Sequence, residues 1–326
     1  MPAHADGGVG RSGRDERRFL PTRRELVLGG LCLCCLPTLA HAAESFTMEE
    51  VGPGIFIRRG PHEEATPENN DGIANIGFIV GRDGVLVTDS GGSLADGQWL
   101  RTEIVKRTDK PIRHVVLTHG HPDHCFGAAA FAADGPAFIG HHRLRALLDA
   151  RGEFYRTQLA DILGREKAGS AVYPTQEVKD GAEIDLGDRT LRFTAHGAAH
   201  TTSDLSMLDA RTGILFPADL LFVTRVPSLD GSLLGWLKEA DKLAALGVAR
   251  AVPGHGPAIV DFAPALADLT RYLSTLRDET RKAVADGVAI EEASQTVGES
   301  ERGNWALFDD YNERNVTEAY KELEWE

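Results

Sequence analysis

The densest group of possible metal ligands lies in THGHPDH, residues 118–124, which holds three of the chain's twelve histidines. The preceding run IRHVVL is apolar and rich in β-branched residues, which predicts a buried strand that ends where the group begins. His119 and His121 alternate along extended backbone, so both imidazoles can point to one side. Neutral imidazole and carboxylate suit zinc, and an open coordination position would admit a reactive water.

Three later segments also place possible ligands at the ends of predicted strands. They are HGAAHTTSDLS with His200, LFPADLLF with Asp219, and VPGHGP with His255. Together with the first group they can share two zinc ions. The set divides into His119, His121 and His200 for one ion, Asp123, His124 and His255 for the other, and Asp219 as a possible bridge.

These motifs resemble those of a known family. The pattern H-x-H-x-D-H begins at His119, and HTTSDLS, PAD and PGHG follow in order. Over about residues 50–260 the sequence resembles the metallo-β-lactamase superfamily. The resemblance implies the ligand set above, with Asp89 as a bracing residue. By the same resemblance, Asp219 stands at a position where many true β-lactamases carry Cys or Ser. A carboxylate there resembles the pattern of glyoxalase II and of the broader hydrolases in the family.

Within that superfamily the segments IANIGFIVG, VYPT and YNERNVTEAYKELEW are similar to the exported zinc hydrolases of the SoxH and quinoprotein-associated type. The expected activity is hydrolysis of an ester, thioester, lactam or related small substrate by a metal-bound hydroxide. Zinc lowers the pKa of bound water to about 7. Asp123 is the expected catalytic residue, which ligates the second zinc and orients the hydroxide proton.

Three alternatives remain open at this stage. The same ligands could hold metal in a non-catalytic periplasmic binding or delivery protein, or the chain could be a true β-lactamase. An oxygen-using di-iron protein is the third alternative, because His and carboxylate also bind iron. Relatives of that kind usually carry Glu where this chain has His121.

Arg225 is the candidate substrate-binding residue, in the otherwise apolar segment LLFVTRVPSLDG. Because the segment follows a ligand at a strand end, it predicts a loop at the rim of the site, where a guanidinium could hold a carboxylate. The alternative is an arginine paired with Asp230 or with a helix carboxylate. Structural roles are expected for His196 and for Cys125, which is interpreted as a small buried hydrophobe.

The order of elements predicts how these ligands are positioned. Short β-rich runs with Asp-Gly turns open the chain, a helix is predicted at 94–108, an Ala-rich helix at 126–133, and a helix at 142–166. Sheet, helix and strand then recur, which favours an α/β (α+β) αββα sandwich. We predict a hydrolase domain over 43–262 and a C-terminal helical extension over 263–326 packed on it.

Charge and the N-terminal segment restrict the partners. The 326 residues carry a formal charge of −14 and no basic stripe, which argues against nucleic acid and favours a small-molecule substrate. Residues 1–42 resemble a twin-arginine signal peptide: a basic segment with Arg23 and Arg24, an apolar run, and the small-residue site AHA. We therefore expect a periplasmic protein with no stable membrane span after cleavage, a membrane anchor being the alternative. Cys125 would then be the only cysteine left.

Overall fold

The computed structural model describes residues 46–326. The predicted signal peptide at 1–42 therefore lies outside the described residues. Within 46–326, no helix combines the length and the apolar character needed to cross a membrane.

Two β-sheets form the centre of the structure. The first sheet has seven strands in sequence order: β1 (Met48–Gly52), β2 (Ile55–Arg58), β3 (Ile76–Val80), β4 (Val85–Thr88), β5 (Ile112–Leu117), β6 (Ala137–His141) and β7 (Gln176–Val178). Strands β1 to β4 are antiparallel, as the predicted meander requires, and β4 to β7 are parallel.

The second sheet has six strands in the order β13-β12-β11-β10-β9-β8. Their bounds are β8 (Gly181–Asp185), β9 (Thr190–Ala195), β10 (Leu205–Asp209), β11 (Ile214–Phe222), β12 (Arg250–His255) and β13 (Val260–Asp261). Only the β11–β12 pair is parallel. The sheets face each other across an apolar core that includes Ile57, Val116, Phe193 and Phe216.

Helices cover both outer faces of the sandwich. They are α1 (Leu94–Arg107), α2 (Pro122–Cys125), α3 (Leu144–Leu163), α4 (Arg165–Ala168), α5 (Leu233–Ala244), α6 (Phe262–Ala285), α7 (Ile290–Thr296) and α8 (Phe308–Leu323). One core packs the first sheet against α1 and α3, and another packs the second sheet against α5, α6 and α8. The predicted αββα architecture is confirmed.

Two predicted helices differ from the structure in detail. The Ala-rich segment forms a 3-10 helix over Phe126–Asp134 rather than an α-helix. Gly127 explains part of this, because a Cβ there would lie 2.1 Å from the carbonyl oxygen of Ser90, so the segment is drawn tightly against neighbouring backbone. The helix predicted at 142–166 ends at Leu163, where Gly164 adopts φ of 84° and separates α3 from α4.

Candidate metal centre

The predicted ligands meet at one edge of the sandwich, where strands of both sheets end. His119, His121, Asp123 and His124 follow β5, and α2 begins after His121. His200 lies in the loop between β9 and β10, Asp219 lies within β11, and His255 is the last residue of β12. Because neighbouring parallel strands carry their carboxyl ends to the same edge, ligands far apart in sequence converge there.

One group of donor atoms comprises three histidines and a carboxylate: His119, His121, His200 and Asp219. The Nε2 of His119 lies 3.2 Å from the Nδ1 of His121, and the Nε2 of His200 lies 2.9 Å from that same Nδ1. Aromatic packing against Trp236, with ring centroids 5.3 Å apart, helps to fix His200. The first predicted ion would therefore be held by these three nitrogens.

A second group contains Asp123, His124 and His255. The Nε2 of His255 lies 3.2 Å from Oδ2 of Asp123. Asp219 stands between the groups: its Oδ1 is 3.0 Å from Nε2 of His124, and its Oδ2 is 3.3 Å from Nε2 of His200. The carboxylate of Asp219 is thus within reach of both groups, as the predicted bridge requires.

Hydrogen bonds on the outer side of each ring fix which nitrogen faces the centre. The Nδ1 of His124 lies 2.8 Å from Oδ2 of Asp89, and the Nε2 of His121 lies 2.8 Å from Oδ2 of Asp230. The Nδ1 atoms of His200 and His255 lie 2.6 Å and 3.1 Å from backbone carbonyl oxygens. Carboxylates and carbonyls only accept hydrogen bonds, so these ring nitrogens donate, and each inner nitrogen carries a lone pair whenever its ring is neutral.

This arrangement fits a divalent cation. Inner nitrogens that carry lone pairs cannot hydrogen-bond to each other, although those of His121 and His200 are 2.9 Å apart. Two buried atoms at the centre, Nε2 of His124 and Oδ1 of Asp219, have no hydrogen-bond partner. Buried polar groups left unpaired are unfavourable, and a cation would satisfy all of them at once.

The pKa values of the two groups differ in direction. Burial lowers the pKa of His119 well below its ordinary value and lowers that of His200 to about 3, so both rings are neutral at pH 7. Burial also opposes charge on His124 and His255, but Asp219 and Asp123 outweigh it and raise both pKa values. The carboxylates therefore attract positive charge to the second group.

Asp89 and the backbone around Asp219 position the ligands. Asp89 accepts hydrogen bonds from the backbone N–H and the hydroxyl of Thr118, at 2.8 Å and 2.7 Å, in addition to its bond with His124. Ala218 adopts φ of 49°, an unusual conformation for a residue with a Cβ. A Cβ on Gly254 would lie 1.8 Å from Oδ1 of Asp219, so the PGHG motif needs glycine at this position.

A cavity of about 710 Å³ opens above the centre. Four of the predicted ligands line it: His121, Asp123, Asp219 and His255. Helix α3 supplies a wall that includes Phe154 and Ile162, and Tyr311 of α8 closes another side. These four predicted ligands therefore face a cavity that a small molecule can enter.

Sequence reasoning missed the residues that surround His121. Asp230 accepts a hydrogen bond from His121 and forms ion pairs with Arg151 of α3, at 3.1 Å, and with Arg314 of α8. All three line the cavity. Asp230 lies within LLFVTRVPSLDG, the segment that also contains Arg225, but no spacing pattern signals its bond to His121.

Arg225 lines the cavity but its guanidinium is engaged by the protein. It donates to the backbone oxygen of Glu63 at 2.6 Å, to Oε1 of Glu64 at 3.0 Å and to the hydroxyl of Tyr311 at 2.9 Å. The alternative partner suggested by the sequence, Asp230, pairs with other arginines instead. The substrate-binding role of Arg225 stays a prediction.

His196 and Cys125 lie near the centre but contribute no ligand atom to either group. Both ring nitrogens of His196 have partners: Nδ1 lies 2.9 Å from Oε2 of Glu239, and Nε2 lies 2.8 Å from Oγ of Ser206. Cys125 is buried and its thiol donates to the carbonyl oxygen of His121. Burial raises the pKa of this thiol well above its ordinary value, so it remains protonated.

Comparison with known proteins adds independent information. A family model described as the metallo-beta-lactamase superfamily matches residues 69–255. The chain is 25% identical to a linear primary-alkylsulfatase of Pseudomonas sp. over 218 residues, which cover 55% of this chain and 40% of that enzyme. It is 28% identical to the acyl-coenzyme A thioesterase MBLAC2 of Homo sapiens over 217 residues, which cover 60% of this chain and 71% of that protein.

Solved structures share the fold. A metallo-beta-lactamase from Pontibacter korlensis superposes with a TM-score of 0.58 at 18% identity, covering 70% of this chain and 99% of that one. The sec-alkylsulfatase Pisa1 from Pseudomonas sp. has a TM-score of 0.62 at 17% identity, covering 85% of this chain and 50% of that one. At such identities these likenesses show the fold alone.

Proposed function

The chain belongs to the metallo-beta-lactamase superfamily, and from that premise we propose that it is a zinc-dependent hydrolase of a small ester, thioester or related substrate. One observation carries the proposal: histidine lone pairs and carboxylates converge on a centre that opens into a cavity. A binding or delivery protein needs the ligands but not the accessible cavity. The alkylsulfatase and the thioesterase among its relatives also cleave ester-type bonds, as their names state.

We propose two zinc ions per chain, because the ligands form two groups that share Asp219. Bound zinc would acidify water and polarise the bond to be cleaved. The nitrogens of the first group and the donors of the second group would hold the two ions. An arrangement of this kind needs no serine or cysteine nucleophile.

Asp123 is the proposed catalytic residue. It lines the cavity, and its Oδ2 lies 3.2 Å from Nε2 of His255. Burial raises its pKa, but the charges on His124 and His255 outweigh this effect and hold the pKa well below the ordinary value. Asp123 therefore stays an anion that can accept a hydrogen bond from the attacking water and fix its orientation.

The test combines metal analysis with turnover. The full chain is purified, its metal content is measured by mass spectrometry, and hydrolysis is followed on a panel of a carboxylic ester, a thioester, a sulfate ester and a β-lactam. We expect two zinc ions per chain, and turnover that a chelator removes and zinc restores. Bound metal with no turnover on any member would overturn the proposal, and turnover of the lactam alone would indicate a true β-lactamase.

We also propose that the protein is exported to the periplasm by the twin-arginine route, and that it belongs to the SoxH and quinoprotein-associated type. The support is in the sequence: Arg23 and Arg24 before an apolar run, and the segments quoted above. Twin-arginine export carries folded proteins, which suits a metal site assembled before transport. Cell fractionation of a variant with both arginines replaced by lysine should find it in the cytoplasm; continued export would contradict the route.

A further inference from the structure

Helix α3 places two exposed apolar side chains on the wall of the cavity. Six large hydrophobic side chains are exposed within residues 46–326, and two of them, Phe154 and Ile162, line the cavity. Phe154 is 59% exposed and Ile162 is 40% exposed. Exposed apolar groups that cluster at a concave site mark a surface that binds an apolar partner.

These side chains form a stripe that starts beside the metal centre. Phe154, Gln158 and Ile162 are spaced by four residues and so lie along one face of α3, next to Arg151, Tyr155 and Leu159. The ring of Tyr155 is 6.3 Å from the ring of His121. From Arg151 to Ile162 the stripe is about 16 Å long, given a rise of 1.5 Å per residue. It can therefore accommodate an extended chain that runs outward from the metal ligands.

The end of the stripe nearest the metal centre is cationic. Arg151 and Arg314 both pair with the single carboxylate of Asp230, which also accepts a hydrogen bond from His121. The two arginine side chains are 49% and 50% exposed and line the cavity. Two guanidinium groups against one carboxylate leave one positive charge in excess. Planar guanidinium groups with free N–H donors bind anions such as carboxylate or sulfate.

We propose that the substrate is a linear amphiphile. Its single anionic group lies beside the scissile bond and is held by Arg151 and Arg314, and its alkyl or acyl chain lies along α3 over Phe154 and Ile162. This inference rests on the proposed hydrolase function, because the scissile bond must lie at the metal centre. The charge and the apolar stripe are adjacent, so a molecule that has only one of these features would use only part of the site.

Binding of linear alkanesulfonates tests the inference separately from turnover, since these probes resist hydrolysis. A series from butanesulfonate to decanesulfonate is titrated into the zinc-loaded full chain by calorimetry, below the critical micelle concentrations. We expect Kd to fall about two- to fourfold for each added methylene. The double variant Phe154→Ser, Ile162→Ser should flatten this dependence. Arg314→Gln should weaken every probe by about tenfold and leave the slope unchanged.

Val105→Ser is the matched control, because Val105 is 63% exposed on α1 and does not line the cavity. It should bind the series as the wild type does, and circular dichroism checks that all variants fold. Binding that does not depend on chain length in the wild type would overturn the inference. So would an unchanged slope in the double variant or an equal loss in Val105→Ser.

Turnover of a short neutral ester reports on the hydrolase function in the same preparation. Turnover together with binding that ignores chain length overturns the amphiphile and leaves the hydrolase. Graded binding with no turnover on any panel member overturns the hydrolase, and with it the claim that the bound amphiphile is a substrate. The two failures are therefore distinct.

Discussion

Two buried clusters of histidine and carboxylate lie close together in this molecule, and they are built differently. In the cluster of His196, Glu239 and Ser206, each ring nitrogen of His196 has a hydrogen-bond partner, and Glu239 is also paired with Lys242 at 2.7 Å. None of these residues lines the cavity above the metal centre. Such a cluster is complete without a ligand.

In the metal centre, by contrast, hydrogen bonds within the protein do not satisfy every buried polar atom. Its outer ring nitrogens are satisfied by the protein, but Nε2 of His124 and Oδ1 of Asp219 have no hydrogen-bond partner. His196 and His200 lie four residues apart in HGAAH, yet His196 belongs to the first cluster and His200 to the metal centre. Residue type alone therefore does not distinguish a structural histidine from a predicted ligand. A buried histidine indicates a ligand site only where its inner nitrogen lacks a partner in the chain.

The largest expected effect comes from removing a ligand of the first group. His119→Ala or His200→Ala should lose metal and reduce kcat/KM by about a thousandfold or more, because metal-ion catalysis supplies several kcal/mol of transition-state stabilisation. Metal analysis and steady-state kinetics measure both effects.

His196→Ala is the matched control from the complete cluster. It should keep its metal and lose about 1–3 kcal/mol of unfolding free energy, because Glu239 and Ser206 each lose a hydrogen-bond partner while Glu239 keeps its ion pair with Lys242. Loss of zinc from this variant would mean that the third histidine of the site has been assigned to the wrong residue.

The next effect concerns the atom that lies between the two groups. Asp219→Ala should retain one tightly held metal and bind the second weakly, because the carboxylate supplies charge to both. Activity should fall by more than about 100-fold, which is the largest loss typical of residues that only hold a metal ligand in place. Chelator titration counts the tight sites, and two tight metals with full activity would remove the bridge.

A smaller effect is expected outside the ligand set. Asp230→Asn should weaken metal affinity by about 10- to 100-fold, because an amide can also donate a hydrogen bond and so no longer fixes the ring of His121. The Tm of the metal-free protein measures separately the stability lost with the ion pairs to Arg151 and Arg314. Asp188→Asn, on the exposed surface, serves as the control. Equal metal affinities in the two variants would show that Asp230 does not position His121.

The smallest effect tests the complete cluster by pH. The hydrogen bond from His196, opposed by burial and aided by Lys242, lowers the pKa of Glu239 from 4.5 to about 2. Its contribution to stability is therefore present above 4.5 and is lost as the pH falls towards about 2. Glu239→Gln should lower the unfolding free energy by about 1–2 kcal/mol at neutral pH. Urea unfolding measures the difference in unfolding free energy between the variant and the wild type, which should be smaller at about pH 3 than at neutral pH. A difference that stays constant with pH would contradict the lowered pKa of Glu239.

Local patterns predicted much of this protein. Alternation of apolar residues and Asp-Gly turns predicted the antiparallel start of the first sheet, and the recurrence of sheet, helix and strand predicted the αββα sandwich, which the structure confirms. The helix over 126–133 was wrong in type, because propensity favours an Ala-rich α-helix while Gly127 packs directly against the backbone of Ser90.

The sequence by itself determined the positions of the predicted ligands. His119, His121, Asp123 and His124 lie at one strand end, where strand periodicity limits the direction of each side chain, so their spacing carries information. The structure brings them within reach of His200, Asp219 and His255.

Tertiary structure alone decided the surroundings of that centre. Asp230 meets Arg151 across 79 residues and Arg314 across 84 residues, from a loop and two helices on different parts of the fold. It also decided that Arg225 faces Glu64 and Tyr311 instead of Asp230. Contacts between distant elements depend on how layers pack, and packing leaves no period in the sequence from which such pairs can be inferred.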